Sequence, residues 1–311
     1  MQRFLTLFLI GVFTFVPYTV ALAESDSGQK AVLVTGASSG LGRNMTEMMA
    51  TNGYFVYAGA RKDKDIADLN AIKNVQAVRL DVTKQDEIDA AVRTIADAGR
   101  GLYGLVNNAG VLVLNPLIEI DEQEFNWQMD VNVYGPYRVT RAFAPLIIES
   151  KGRIATIGSI AGTLSSATWG PYSMSKHAME AFADALADEM SQFGVKASLI
   201  EPGTYQSKIA DHAVKKAKQS NRDDVNAEVD WLTKALAESG DPDDVSKAVM
   251  HALFDESPKP RYMVVPNQDQ AYITISTAMG RLVEQNTDQP YSYDRAALIE
   301  MLDKAIAAQS E

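Results

Sequence analysis

Tyr172 and Lys176 stand four residues apart in Tyr172-Ser173-Met174-Ser175-Lys176, which opens a run with apolar residues at Ala178, Ala181, Phe182, Ala185, Leu186 and Met190. That spacing predicts a long amphipathic helix carrying a phenol and an ammonium on one face near its start. A free tyrosine, with a pKa of about 10, is a poor base at neutral pH, and bringing it toward 7 takes roughly 4 kcal/mol. A fixed ammonium in a water-poor cleft acts in that direction. Taken alone, the pair is equally a chance of helix composition. Thirteen residues upstream, Ser159 in Gly158-Ser159-Ile160-Ala161-Gly162 follows a predicted strand, Gly152 to Ile157. A hydroxyl at the carboxyl end of a strand can hold a developing oxyanion, or simply cap a helix. Asn132, between Val131 and Val133, is a polar residue in an apolar helical setting, which suits a buried hydrogen-bonding role.

A second group of residues points to a bound dinucleotide. The predicted strand Ala31 to Val34 runs into Thr35-Gly36-Ala37-Ser38-Ser39-Gly40-Leu41-Gly42 and then a helix with Met45, Met48 and Met49. Glycines there permit a tight turn and let backbone N–H groups approach a pyrophosphate, while the helix N-terminus adds partial positive charge. Glycines in such a turn also serve strand-to-helix packing. The next strand, Tyr54 to Ala58, leads to Ala60-Arg61 with no carboxylate at its end. An acid there would accept from a ribose 2′-hydroxyl, whereas a guanidinium can clamp a 2′-phosphate. Arg61 therefore favours NADP(H) over NAD(H), its other reading being a solvated loop charge beside Lys62, Asp63 and Lys64.

These groups need a scaffold. Short apolar runs at 31–34, 54–58, 75–80, 104–107, 152–157 and 195–200 alternate with helical patterns, which predicts parallel strands with helical crossovers. Continuous apolar strands imply cover on both faces. The expected fold class is α/β, a single Rossmann-type doubly wound parallel sheet over residues 31–311. Residues 205–240 are polar, helix-prone and mixed in charge, and read as a substrate lid or a solvated helix pair. Asp241-Pro242-Asp243-Asp244 opens a helix, 258–265 reads as a last strand, and a final helix over 293–308 has apolar residues at 298, 301, 302 and 305 that suit packing. A net charge of −11 gives no reason to bind nucleic acid, and with no cysteine and three dispersed histidines no metal site is expected.

Arg3, an apolar run from Phe4 to Val16, Pro17 and Ala21-Leu22-Ala23 have the layout of a secretory signal at 1–23 followed by a linker at 24–30. An uncleaved membrane anchor is the other reading. Either places the domain outside the cytoplasm; it is cytoplasmic if the segment is not functional. An exported chain would then have to find NADP(H) where it is scarce.

The joint pattern resembles the short-chain dehydrogenase/reductase family over about Lys30 to Ser207. The family's T-G-x-x-x-G-x-G motif matches Thr35 to Gly42, and its N-N-A-G motif matches Asn107-Asn108-Ala109-Gly110. By this resemblance Asn132, Ser159, Tyr172 and Lys176 form a catalytic tetrad, Asp81 and Val82 sit at the adenine, and Pro202, Gly203 and Ser207 lie beside the nicotinamide. The implied reaction is hydride transfer between an alcohol or carbonyl and NADP(H), with Tyr172 exchanging the proton and Ser159 positioning the substrate oxygen. Lys176 would bind the nicotinamide ribose and lower the Tyr172 pKa, and Asn132 would hold a water linking Lys176 to solvent. Thr168-Trp169-Gly170-Pro171 and Pro258-Lys259-Pro260-Arg261-Tyr262 are similar to the steroid and retinoid dehydrogenase branch, implying an apolar, lipid-like substrate. The family also implies a homo-oligomer. A cofactor-sensing or interaction protein on the same fold, or an NAD(H)-dependent dehydrogenase of a small polar substrate, are the alternatives.

Overall fold

The structure, a computed structural model, describes residues 28–209, 213–214 and 223–308. The expected leader at 1–23, the first part of the linker and the stretch of the lid holding Lys215, Lys216 and Lys218 lie outside them. Seven strands, β1 (Ala31–Val34), β2 (Phe55–Ala60), β3 (Val75–Arg79), β4 (Gly104–Asn107), β5 (Arg153–Ile157), β6 (Lys196–Pro202) and β7 (Arg261–Val264), form one sheet in the order β3-β2-β1-β4-β5-β6-β7. Every pairing is parallel. The described helices are α1 (Gly40–Thr51), α2 (Asp63–Asn70), α3 (Gln85–Asp97), α4 (Glu122–Met129), α5 (Gly135–Glu149), α6 (Gly170–Ser191), α7 (Asp223–Ala237), α8 (Asp243–Phe254), α9 (Gln268–Asn286) and α10 (Arg295–Ala308).

Alternation along β1 builds both halves of the core. Val32 and Val34 join Met45 and Met49 of α1 and Val249 and Leu253 of α8 on one face. Leu33 joins Ile88 and Ile95 of α3, Phe143 and Ile147 of α5, and Leu186 and Met190 of α6 on the other. Each large apolar side chain so enclosed contributes roughly 1.5–3 kcal/mol. Because β1 pairs with both β2 and β4, the strand order reverses beside it, and a crevice opens at the carboxyl ends where the chain departs to either side. Tyr205 and Gly240, the first and last residues of the expected cover, form a parallel bridge. No helix among the described residues is long and apolar enough to cross a membrane.

One expectation is corrected. Within the single chain the apolar spacing of the final helix finds no surface to pack on: α10 buries no residue, and Met301 and Leu302 are exposed. The two sheet faces are already covered by α1 and α8 on one side and α3, α5 and α6 on the other.

Next to β6 an acidic cluster forms around one guanidinium. Arg261 Nη2 lies 2.9 Å from Glu180 Oε2, and its Nη1 lies 3.0 Å from Asp184 Oδ1. Glu201 is buried beside them, and Glu180 Oε1 is a buried acceptor with no donor. A proton on Glu201 supplies that donor. Burial first, then the charge and hydrogen bond of Glu180 and the charge of Asp184, outweigh Arg261 and raise the Glu201 carboxyl from 4.5 to about 7. The folded chain thus keeps a proton that the unfolded chain has lost, so stability falls as pH rises from about 4.5 to 7. Glu201→Gln, whose amide is a donor at every pH, raises the melting temperature at pH 8 by about 3 °C or more and leaves it unchanged at pH 4.5; melting curves at the two pH values check this.

Candidate active site

The glycine turn is held in place by the neighbouring strand's own turn. Thr35 Oγ1 accepts from the N–H groups of Asn108 at 2.9 Å and Ala109 at 3.0 Å, and Asn108 Nδ2 donates back to the Thr35 carbonyl at 2.8 Å. Gly36 has φ +66° and Gly42 sits where a Cβ would come within 2.3 Å of the Gly36 carbonyl oxygen. No side chain fits at either position. The first turn of α1 carries no acidic residue, and its N-cap Ser39 makes no side-chain cap, so its N–H groups and positive dipole end are available to an anion. Ser207 lies across the turn, its Cβ 3.4 Å from where a Cβ on Gly40 would stand.

At the end of β2, Arg61 Nη1 lies 3.7 Å from Asp81 Oδ2. Burial would raise the Asp81 carboxyl, but hydrogen bonds from the backbone and hydroxyl of Thr83 and the charges of Arg61 and Lys84 outweigh it and hold the group below its usual range. Asp81 is therefore an anchored carboxylate with Arg61 leaning on it. A cavity of about 810 Å³ runs from these residues along the carboxyl edge of the sheet. Gly36, Ser38, Ser39, Gly40, Leu41, Gly42, Val82, Asn108, Ala109 and Gly110 line it, as do Ser159, Tyr172, Lys176, Pro202, Gly203 and Ser207. A bare glycine turn at a helix N-terminus, a cationic strand end and a long crevice fit a nicotinamide dinucleotide.

The phenol and hydroxyl predicted to do chemistry line the same cavity, with the Ser159 hydroxyl placed to favour the ionised form of Tyr172. Ser159 Oγ also accepts from Ala161 N–H at 3.1 Å, at the start of the short turn Ile160–Gly162. Lys176, buried one helical turn after Tyr172, donates from Nζ to the Ile157 carbonyl at 2.9 Å. The expected lowering of Tyr172 calls on Lys176 and an oxidised nicotinamide together, and of the two only the amine belongs to the chain. Burial of its hydroxyl end pushes the phenol up to about 12, with the Ser159 hydrogen bond opposing. Burial also brings Lys176 down to about 8 against the charge of Glu180. Its Nζ lies 5.7 Å from the centre of the phenol ring. Within the chain, desolvation acts on both partners, disfavouring the charged form of each.

Asn132 lies beneath the cavity wall rather than among its lining residues. It sits in a π-helical turn, Asp130–Tyr134, between α4 and α5. Its Oδ1 accepts from Val111 N–H at 2.8 Å, while Nδ2 donates to the Val111 carbonyl at 2.9 Å and to Ser175 Oγ at 3.0 Å. The amide thus ties the loop after β4 to α6, with its donors and its acceptor engaged. Such single wide turns insert one extra residue and loosen the local backbone pattern.

Sequence reasoning missed the far end of the cavity. Trp127 of α4, Trp231 of α7 and Ile273 and Thr277 of α9 line it with Trp169. Trp169 meets Tyr172 edge-on with ring centres 5.9 Å apart, and Trp231 at 6.2 Å. The available signal was a large aromatic on an otherwise polar helix face, as at Trp231, which remains 54% exposed. Among the described residues no group of three or more His, Asp or Glu side chains could hold a metal.

Comparison with known proteins places this geometry. The family description "short chain dehydrogenase" matches residues 30–218. Mitochondrial D-beta-hydroxybutyrate dehydrogenase of Bos taurus is 37% identical over 197 residues, 60% of this chain and 57% of that protein, so the chain spans little more than half of that relative's length. Retinol dehydrogenase 7 of Mus musculus is 31% identical over 266 residues, 79% of this chain and 84% of that protein. A short-chain dehydrogenase structure from Streptomyces avermitilis superposes with a TM-score of 0.70 at 28% identity, covering 90% of this chain and 98% of that one.

Asn132→Ala leaves both backbone groups of Val111 without their side-chain partner, and costs about 2 kcal/mol of stability. Urea unfolding monitored by far-ultraviolet circular dichroism checks it, an unchanged midpoint being the contrary result.

Proposed function

Because the chain belongs to the short-chain dehydrogenase family, we propose that it is an NADP(H)-dependent oxidoreductase interconverting an alcohol and a carbonyl, with an apolar, lipid-like substrate such as a steroid or retinoid. The observation that carries the reading is the convergence of Ser159, Tyr172 and Lys176 on a cavity continuous with the glycine cradle. When bound, the nicotinamide supplies or accepts the hydride. The chain's residues handle the oxygen and its proton. Ser159 donates to the substrate oxygen and holds it against the phenol, and Tyr172, kept protonated by burial, delivers its proton as that oxygen becomes an alkoxide. Lys176 holds the ribose hydroxyls, and Asn132 keeps its helix in register with the loop after β4.

Arg61 and Lys62 at the end of β2 support NADP(H), although Asp65 of α2 lines the same end of the cavity. The apolar far wall and the similarity to a retinol dehydrogenase support the substrate class. The segment 205–240 serves as the lid, the leader at 1–23 exports or anchors the domain, and a homo-oligomer forms through α5 and α6, where Tyr137, Ala181 and Ala185 are exposed.

Tyr172→Phe lowers reduction of a carbonyl substrate about a thousandfold while NADPH binding, followed by nucleotide fluorescence, changes less than twofold; persistent turnover would refute the assignment. Arg61→Glu weakens NADPH binding about tenfold or more relative to NADH, and an unchanged ratio of the two dissociation constants would leave the 2′-phosphate contact without support.

A further inference from the structure

The far end of the cavity combines an aromatic wall with one carboxylate. Glu228 of α7 accepts a hydrogen bond from Trp169 Nε1 through Oε2 at 3.0 Å. Its Oε1 has no partner among the described residues, and Glu228 itself lines the cavity with Trp231, Leu232 and Leu236. The lining cations lie elsewhere: Arg61 and Lys62 at the end of β2, Lys176 at the phenol, and Lys208 in the turn whose backbone rests against Gly40. Anchoring an indole needs only a neutral acceptor. A carboxylate among indole rings loses part of its hydration and is stabilised by each donor it gains. One oxygen is engaged by Trp169 and the side chain lines the cavity, so a donor group on a molecule filling the cavity can reach the other. The same charge opposes a second carboxylate there.

We infer that Glu228 forms a distal subsite for a hydrogen-bond-donating group, a hydroxyl or an ammonium, on an apolar substrate whose reacting carbon lies at Tyr172. The subsite rests on the proposed reaction for its orientation, but its selectivity is a property of binding. Indole rings accommodate the apolar body, and either donor is served: a hydroxyl by one charge-assisted hydrogen bond, an ammonium by that bond together with the faces of the neighbouring indoles.

The test uses the full chain and 2-alkanones of six to twelve carbons whose far end is methyl, hydroxyl, ammonium or carboxylate. Dissociation constants come from quenching of indole fluorescence, since Trp169 and Trp231 line the site, and turnover is read separately from NADPH consumption. At the best chain length the hydroxyl and ammonium ketones bind at least tenfold more tightly than the methyl ketone, and the carboxylate binds more weakly than the methyl. Glu228→Gln, which keeps an acceptor for Trp169, cuts the ammonium-to-methyl preference at least tenfold and raises the carboxylate-to-methyl ratio. Equal binding of the four end groups, or the same ratios in Glu228→Gln, overturns the subsite and leaves Glu228 as an anchor for Trp169. Selective binding without turnover upholds the subsite and refutes the reaction; turnover without selectivity does the reverse.

Discussion

Two turns that follow neighbouring strands are locked together, and the site is built on that lock. Thr35 follows β1 and Asn108 follows β4, and each supplies what the other's backbone lacks: the threonine hydroxyl accepts from two N–H groups, and the asparagine amide donates to the carbonyls of Thr35 and Gly36. Turns at the carboxyl edge of a parallel sheet have no ladder partners left, and buried polar backbone must be satisfied somehow. Here it is satisfied across the point where the strand order reverses. The glycine turn is thereby rigid without side chains of its own filling the space a ligand would need, which a turn stabilised by its own side chains could not offer.

A second constraint is electrostatic and runs along α6. Tyr172, Lys176, Glu180 and Asp184 recur at four-residue intervals on one helix, and they pass from a buried phenol to a buried amine to a carboxylate cluster closed by Arg261. Burial raises the phenol and lowers the amine, while the nearby Glu180 charge favours keeping the amine protonated. The cluster behind the amine is part of the electrostatics of the site even though it lies outside the cavity. Glu201, sharing a proton with Glu180, tempers how much negative charge that cluster carries.

The strands and the phenol–amine pair were legible because both are written in short-range periodicity: apolar runs bounded by turn residues, and a four-residue spacing that any helix converts into adjacency. The turn from Thr35 to Gly42 was legible because glycine is required where a Cβ has no room. What stayed hidden depends on contacts between distant segments. A helical reading of Val131 to Gly135 cannot reveal one extra residue in the turn, so the π-helical setting of Asn132 was not visible. Glu201 looks like any strand residue until α6 and β7 bring Glu180 and Arg261 beside it. Trp127, Trp231 and Glu228 lie on helices whose polar patterns read as solvated faces, and the crevice only assembles them in three dimensions. Apolar spacing in α10 says which face could pack, not whether a surface remains to receive it. The burial acting on Tyr172 stayed hidden because nearness of an amine is visible in a helix, whereas the extent of burial is not.

The bridge between Tyr205 and Gly240 makes the intervening stretch a closed excursion from the sheet. Lengthening such an excursion costs only a logarithm of its length, and it does not pull on Pro202 or Gly203, which precede the pin. Segments of different size could therefore be grafted onto the same two anchor points over evolutionary time while Ser159, Tyr172 and Lys176 kept their positions. In a protein arranged this way, what is recognised and what is done to it can diversify independently.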